Sequence, residues 1–210
     1  RSNGEMSSWL EPLKHAYKPV VEFQIPSQYC LGAEFYRWEF ATAIAGVVMG
    51  INSFDQPDVQ DSKTRTAAKI NEYRSKQMLN EGEVIWQGTD GTIYGKPFPY
   101  VKEAKSLPDF LERYLDEVKP GDYIALNLYL PRFPEIVAKT QSIRKAIGKV
   151  TGRAVTVGFG PRYLHSTGQL HKGGSDHGVF ILVTADSESD IPIPGQGITF
   201  GLLEKAQALG

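Results

Sequence analysis

Residues 122–130 read DYIALNLYL, a near-continuous apolar run bounded by Pro120-Gly121 before it and Pro131 after it. A run of this length, rich in branched and aromatic residues and closed by turn formers, predicts a strand buried on both faces. Outward from it the texture alternates. PEIVAKTQSIRKAIGKV (134–150) predicts a helix, RAVTVGFG (153–160) a second strand, and GVFILVTAD (178–186) a third. The closing ITFGLLEKAQALG (198–210) predicts a last helix. Strands alternating with helices predict an α/β layer architecture with buried strands.

Upstream, SLPDFLERYLDEV (106–118) predicts a helix capped by Ser106, with Asp109 three residues on and an apolar stripe through Leu107, Phe110, Leu111, Tyr114, Leu115 and Val118. Residues 80–105 are punctuated by glycine and proline around EVIW and TIYG, which fits a hairpin or an extended connector, and Thr89-Asp90-Gly91 supplies the turn. The strongest helix signal runs from Leu31 to Gly50, with Phe35, Trp38, Ala41, Thr42, Ala45, Val48 and Met49 at spacings of three and four. Its apolar part, Phe40 to Ile51, is too short to span a bilayer and predicts a buried helix. Pro57 opens a further helix toward Met78, because proline fits the first helical position. A short strand is expected near Val20 to Ile25. The division expected is 1–80 and 81–210, with the boundary in the glycine-rich connector.

Composition narrows the function classes. The 210 residues carry Lys+Arg 23 against Asp+Glu 24, so no global field favours nucleic acid or an anionic membrane, and neither partner is expected. The single Cys30 allows no internal disulfide, and no signal peptide is evident, so a reducing cytoplasm is the expected compartment. The chain starts RSNGEMSSWLEPL without an initiating Met and reaches a dense helix by residue 31, which suggests a piece of a longer protein.

The chemistry-bearing stretch is GINSFDQPDVQDSK, residues 50–63. With Pro57 opening a helix, Gln56 stands at its cap and Lys63 two turns later on the same face, so an amide and an ammonium converge. Free first-turn amides and the helix dipole would add attraction for an anion such as phosphate. The alternative is a capped surface helix whose Lys63 pairs with Gln60, Asp61 or solvent. A second polar stretch, HSTGQLHKGGSDHG (165–178), joins two strands and carries His165, His171, Lys172 and Thr167 beside Gly173-Gly174. Such a loop suits a phosphate or a sugar, or serves as a connector. The histidine spacing matches no common zinc set, and no cofactor is expected. Glu39, amid apolar neighbours, calls for a partner such as Arg37. GFGPRYLHSTG lacks the dinucleotide-binding spacing.

LGAEFYRWEFATAIAGVVMGINSFDQPDVQDSK (31–63) resembles the C-terminal signature region of the phosphoglucose isomerase (glucose-6-phosphate isomerase) family, at Leu31, Gly32, Ala33, Glu39, Gly46, Gly50, Ile51, Asn52, Ser53, Phe54, Asp55, Gln56, Val59 and Lys63. FGPRYLHSTGQLHKGG and IPIPGQGITFGLLEKAQALG resemble the isomerase half of bifunctional transaldolase/phosphoglucose isomerases. The resemblance implies the end of a sugar-isomerase (SIS-type) domain followed by a small α/β layer domain, and a metal-free interconversion of glucose 6-phosphate and fructose 6-phosphate through a cis-enediol. By the same resemblance Lys63 helps open the sugar ring and Gln56 lies near the substrate phosphate; the composition of the histidine-glycine loop adds His171 or His165 as a second acid/base and Lys172 and Thr167 as further substrate contacts. The family histidine precedes the lysine in sequence, whereas both candidates here follow it. Asp58 and Gln60 stand where the family has glycine and glutamate. The family's base glutamate, its arginine and its phosphate loop match no segment here, so the expected partners are a sugar phosphate, an N-terminal part of the same enzyme and a possible second copy. Alone, the chain is expected not to isomerise. A noncatalytic sugar-phosphate-binding or assembly module is the other reading.

Overall fold

A computed structural model describes residues 10–16, 18–98, 101–186 and 189–210. Residues 1–9 of the proline-bearing lead-in and Pro99 of the connector lie outside the described residues. The chain divides into two compact units, residues 1–55 and 56–210.

In the first unit, residues 10–15 are helical, Gln28–Cys30 form one turn of 3-10 helix, and α1 spans Leu31–Met49. Gly50 ends α1 in the left-handed region at φ 69, which glycine adopts without strain. The Ile51 amide then donates to the Gly46 carbonyl at 3.0 Å. Gly46 is buried because the Ser53 side chain folds back over it, the Ser53 hydroxyl donating to the Thr42 carbonyl at 3.0 Å. The expected burial of this helix is not found. Phe35, Tyr36, Trp38, Phe40, Ile44, Val47, Val48 and Met49 are all exposed. The reason is its sequence: apolar residues surround the axis, and a helix needs a covered stripe on one side to hide them within a unit this small. Glu39 is exposed too, and the carboxylate that pairs with Arg37 is Glu34, at 2.9 Å. Residues 20–25 form no strand, since a single extended segment without a neighbour has no ladder to join.

The second unit is built on a three-stranded parallel sheet in the order β4-β3-β5, where β3 is Tyr123–Tyr129, β4 Ala154–Phe159 and β5 Gly178–Thr184. Before it come α2 (Pro57–Lys76), the antiparallel hairpin β1 (Val84–Gly88) and β2 (Gly91–Tyr94), and α3 (Leu107–Asp116). Within it lie α4 (Pro134–Thr151) and α5 (Gly168–Gly173), and α6 (Phe200–Leu209) closes it. The central strand is the core: Ile124 and Ala125 are fully inaccessible, and Leu126, Leu128 and Tyr129 nearly so.

Register sorts the two faces. Ile124, Leu126 and Leu128 align with Val155, Val157 and Phe159 and with Val179, Ile181 and Val183. That aliphatic face receives α4, where Gly148 lies against Val155. Tyr123, Ala125, Asn127 and Tyr129 point the other way. There His171 of α5 meets Tyr123, and the Tyr129 hydroxyl donates to the Gln207 carbonyl of α6 at 3.3 Å. Gly158 and Gly160 fit on this side because a Cβ at Gly158 would lie 2.6 Å from Tyr163, and one at Gly160 2.6 Å from the Tyr129 ring. The GFG glycines therefore make room for two tyrosine rings.

The hairpin docks through aromatic rings. The Trp86 indole donates to the Ala104 carbonyl at 2.9 Å, and its ring meets Phe110 of α3, which also touches Phe98. No helix among the described residues is long and apolar enough to cross a membrane.

Candidate functional site

The second unit brings the two polar stretches together. What followed β4 in the sequence as a connector folds locally: Arg162–His165 form a 3-10 turn, and Gly168–Gly173 form α5. The Ser166 and Thr167 amides both return to the Tyr163 carbonyl, at 3.0 and 2.9 Å. The Thr167 hydroxyl bonds the same carbonyl at 3.3 Å, so it holds the turn.

Short α5 lies against the first turns of α2. The Gln169 side chain grips Asp58 twice: its Oε1 accepts from the Asp58 amide at 3.1 Å, and its Nε2 donates to the Asp58 carboxylate at 2.5 Å. One turn further along α2, the buried Ser62 hydroxyl donates to the Asp58 carbonyl at 3.0 Å and receives the Lys172 ammonium. Gly173 is part of this contact, because a Cβ there would collide with the Asp58 carboxylate and approach the Gln169 nitrogen to 2.8 Å.

These bonds change the expected electrostatics of the α2 end. The Asp58 amide is spent on Gln169, and the Val59 amide on the Gln56 carbonyl at 3.2 Å. The first-turn amides expected to greet an anion are engaged within the protein. What remains outward is the side-chain pair. Gln56 makes no capping bond, and both Gln56 and Lys63 are exposed, their side chains with no hydrogen-bond or ion-pair partner among the described residues. Asp61 takes Arg65 at 2.5 Å rather than Lys63. Asp58 and Ser62 form the stripe that faces α5, while Gln56 and Lys63 form a second stripe about 130° round the helix from it.

The histidines separate. His165 is exposed at the end of its 3-10 turn. His171 faces the sheet, with ring centroids 5.2 Å from Phe180, 5.9 Å from Tyr163 and 6.1 Å from Tyr123. Its Nδ1 is buried without a partner, and burial lowers its basicity, so the imidazole is held neutral. Successive residues on a helix point about 100° apart, and Lys172 accordingly turns to α2 while His171 turns to the strands. His177 lies at 3.3 Å from Asp122, whose carboxyl is held below its usual range first by the Lys119 amide and then by this imidazole.

A second concave region, missed in the sequence, opens at the C-terminal ends of β3 and β5. It is a 380 Å³ cleft bordered by Tyr129, Thr184, Asp190, Glu204 and Lys205. Its charges serve the fold. Lys205 bridges Glu81 at 2.7 Å and Asp186 at 3.0 Å, and these carboxylates outweigh the effect of burial and raise its basicity. The Asp190 carboxyl accepts from the Thr199 hydroxyl and, at 2.8 Å, from the Gly201 amide, which hold it ionised below the ordinary range. No group of three or more metal-ligating side chains occurs among the described residues.

Against known proteins, the chain is 35% identical over 68 residues to glucose-6-phosphate isomerase of two strains of Leptospira biflexa serovar Patoc, Patoc 1 / Ames and Patoc 1 / ATCC 23582 / Paris. The match covers 30% of this chain and 15% of each relative, so the chain spans a small part of their length. No protein-family model matches it. No solved structure matches it either. The comparisons thus support a partial relation to a sugar isomerase.

Proposed function

We propose that this chain supplies part of a cytoplasmic glucose-6-phosphate isomerase, in which α2 and α5 form one wall of a sugar-phosphate site. In this reading residues 1–80 are the end of a sugar-isomerase domain and residues 81–210 the α/β layer that follows it. The observation that carries the reading is the meeting of the two polar stretches: α5 delivers Lys172 to Ser62 of α2, while Gln56 and Lys63 stay exposed on another face of the same helix. The partial relation to the Leptospira enzymes points to the same chemistry.

The roles follow from what each group can do. Lys63, an ammonium with three donors, meets the ring oxygens and donates a proton as the ring opens. Gln56 donates its amide to a phosphate oxygen. Lys172 adds positive charge at the α2–α5 contact, offsetting the first-turn carboxylate of Asp58, which Gln169 already holds toward α5. His171 is kept neutral and is available for acid/base work only on the sheet side of α5.

Titration of the isotopically labelled chain with fructose 6-phosphate tests the proposal. Saturable shifts are expected at the Gln56 side-chain amide and the Lys63 ε-methylene, and fructose without phosphate should leave both unmoved. Unmoved signals at both groups in the complete enzyme saturated with the phosphorylated sugar would sink it. In the complete enzyme, Lys63→Ala is expected to lower kcat about 10²-fold or more, in a coupled assay of fructose 6-phosphate formation.

A further inference from the structure

We infer that Gln169 is a positioning residue: with Asp58 it closes the α2 end from across the chain and fixes the side from which Gln56 and Lys63 are presented. The part concerning sugar phosphate rests on the function proposed above; the part concerning the helix end does not.

Three observations carry it. First, α2 lacks a cap of its own, since Gln56 at the capping position makes no side-chain bond to the first turn. Gln169, 111 residues away, does that work through its Oε1 on the Asp58 amide. Second, the grip is two-point. The carboxamide is the side chain that suits both Asp58 groups at once, offering an acceptor to the amide and a donor to the carboxylate. Glutamate there would set like charges against each other, and leucine would leave both Asp58 groups unpaired. Third, the fit is close, because even a methyl group on Gly173 would strike the pair.

The consequence concerns recognition. With the Asp58 and Val59 amides engaged, a phosphate is met by side chains rather than by the helix end, so affinity depends on the angle at which α2 leaves α5. Asp58, whose charge would repel that phosphate, lies about 150° round the helix from Gln56 and Lys63 and shares its charge with a donor.

Amide hydrogen exchange on the whole 210-residue chain, with Gln169→Leu and Gln169→Glu, is the test. The Asp58 amide should be protected in the parent and exchange at least tenfold faster in Gln169→Leu. Gln169→Glu should match the leucine variant at neutral pH and regain protection as the pH falls through the ordinary carboxylate range, about 4 to 5, where one shared proton restores a donor. That recovery is a signature a filler of space would not give. Equal exchange in parent and both variants overturns the inference. Fructose 6-phosphate binding adds the second arm, with several-fold weaker binding expected in Gln169→Leu at unchanged far-UV dichroism. Equal binding by parent and variant overturns the positioning role, whereas a parent that binds nothing, alone and in the complete enzyme, overturns the sugar-phosphate reading while the exchange result still decides the closure of the helix.

Discussion

The N-termini of α3 and α2 solve one problem in two ways. At α3 every partner is local: the Ser106 hydroxyl accepts from the Asp109 amide at 3.3 Å, and the Asp109 carboxylate accepts from the Lys105 amide at 2.8 Å and binds Arg113 at 2.8 Å. At α2 the capping position contributes no side-chain bond, and the first-turn amide waits for Gln169 of α5. A locally capped helix can hold its end before the sheet exists. An end capped from 111 residues away holds only once β3, β4 and α5 are in place, which couples the candidate site to the complete α/β layer.

That contrast can be broken most forcefully at Gly173. Gly173→Val should push α5 from α2 and cost about 2–3 kcal/mol through overpacking, read as a lower urea midpoint together with loss of Asp58 amide protection. A variant of parental stability would show that α2 and α5 are not pressed together. Next in size, Ser106→Ala should cost about 1 kcal/mol by the same denaturation, and it should leave the α2 end protected. If exchange at Asp58 rose with it, the two ends would not be independent.

Smaller still, Asp58→Asn keeps an acceptor for Gln169 but removes the first-turn charge, so a loss of about 0.5 kcal/mol is expected. Acid supplies the last comparison. The Asp109 carboxyl is held below its usual range, first by the Lys105 amide and then by Arg113. Its support is therefore present above the unfolded carboxylate value and lost as the pH falls through the lower folded one. His171 is depressed by burial, so stability should begin to fall below about pH 6.5, where the unfolded chain takes up a proton that the folded imidazole resists. His171→Phe should flatten that first step, measured as melting temperature against pH.

The parts of the molecule that were legible in the sequence are those whose causes are local. The apolar run at Tyr123–Tyr129 is the buried central strand, Pro57 opens α2, Ser106 caps α3, and Thr89-Asp90 turns the hairpin. What could not be read there depends on partners distant in sequence. Burial of α1 was expected from its hydrophobicity, yet hydrophobicity all round an axis does not say what covers it. The paired Gly173-Gly174 suit a loop, so the six residues of α5 give no helix signal in the sequence, while the tertiary contacts of Gln169 and Lys172 favour a helix. Within the candidate site, the spacing of Gln56 and Lys63 was readable, as it needs only the helical period. Gln169 was not, since a lone glutamine has no periodic or capping signature until its Asp58 partner is known.

One consequence follows from the order β4-β3-β5. Strand β5 forms an outer margin of the sheet, and its sequence GVFILVT holds no charged residue and no proline to deter another strand from joining. Phe180 and Leu182 are exposed along it, and the guard on the Phe180 carbonyl is the Tyr114 hydroxyl at 3.2 Å. Concentrated solutions of the isolated chain should therefore self-associate through this margin, and a lysine in place of Leu182 is the substitution that would keep it dispersed.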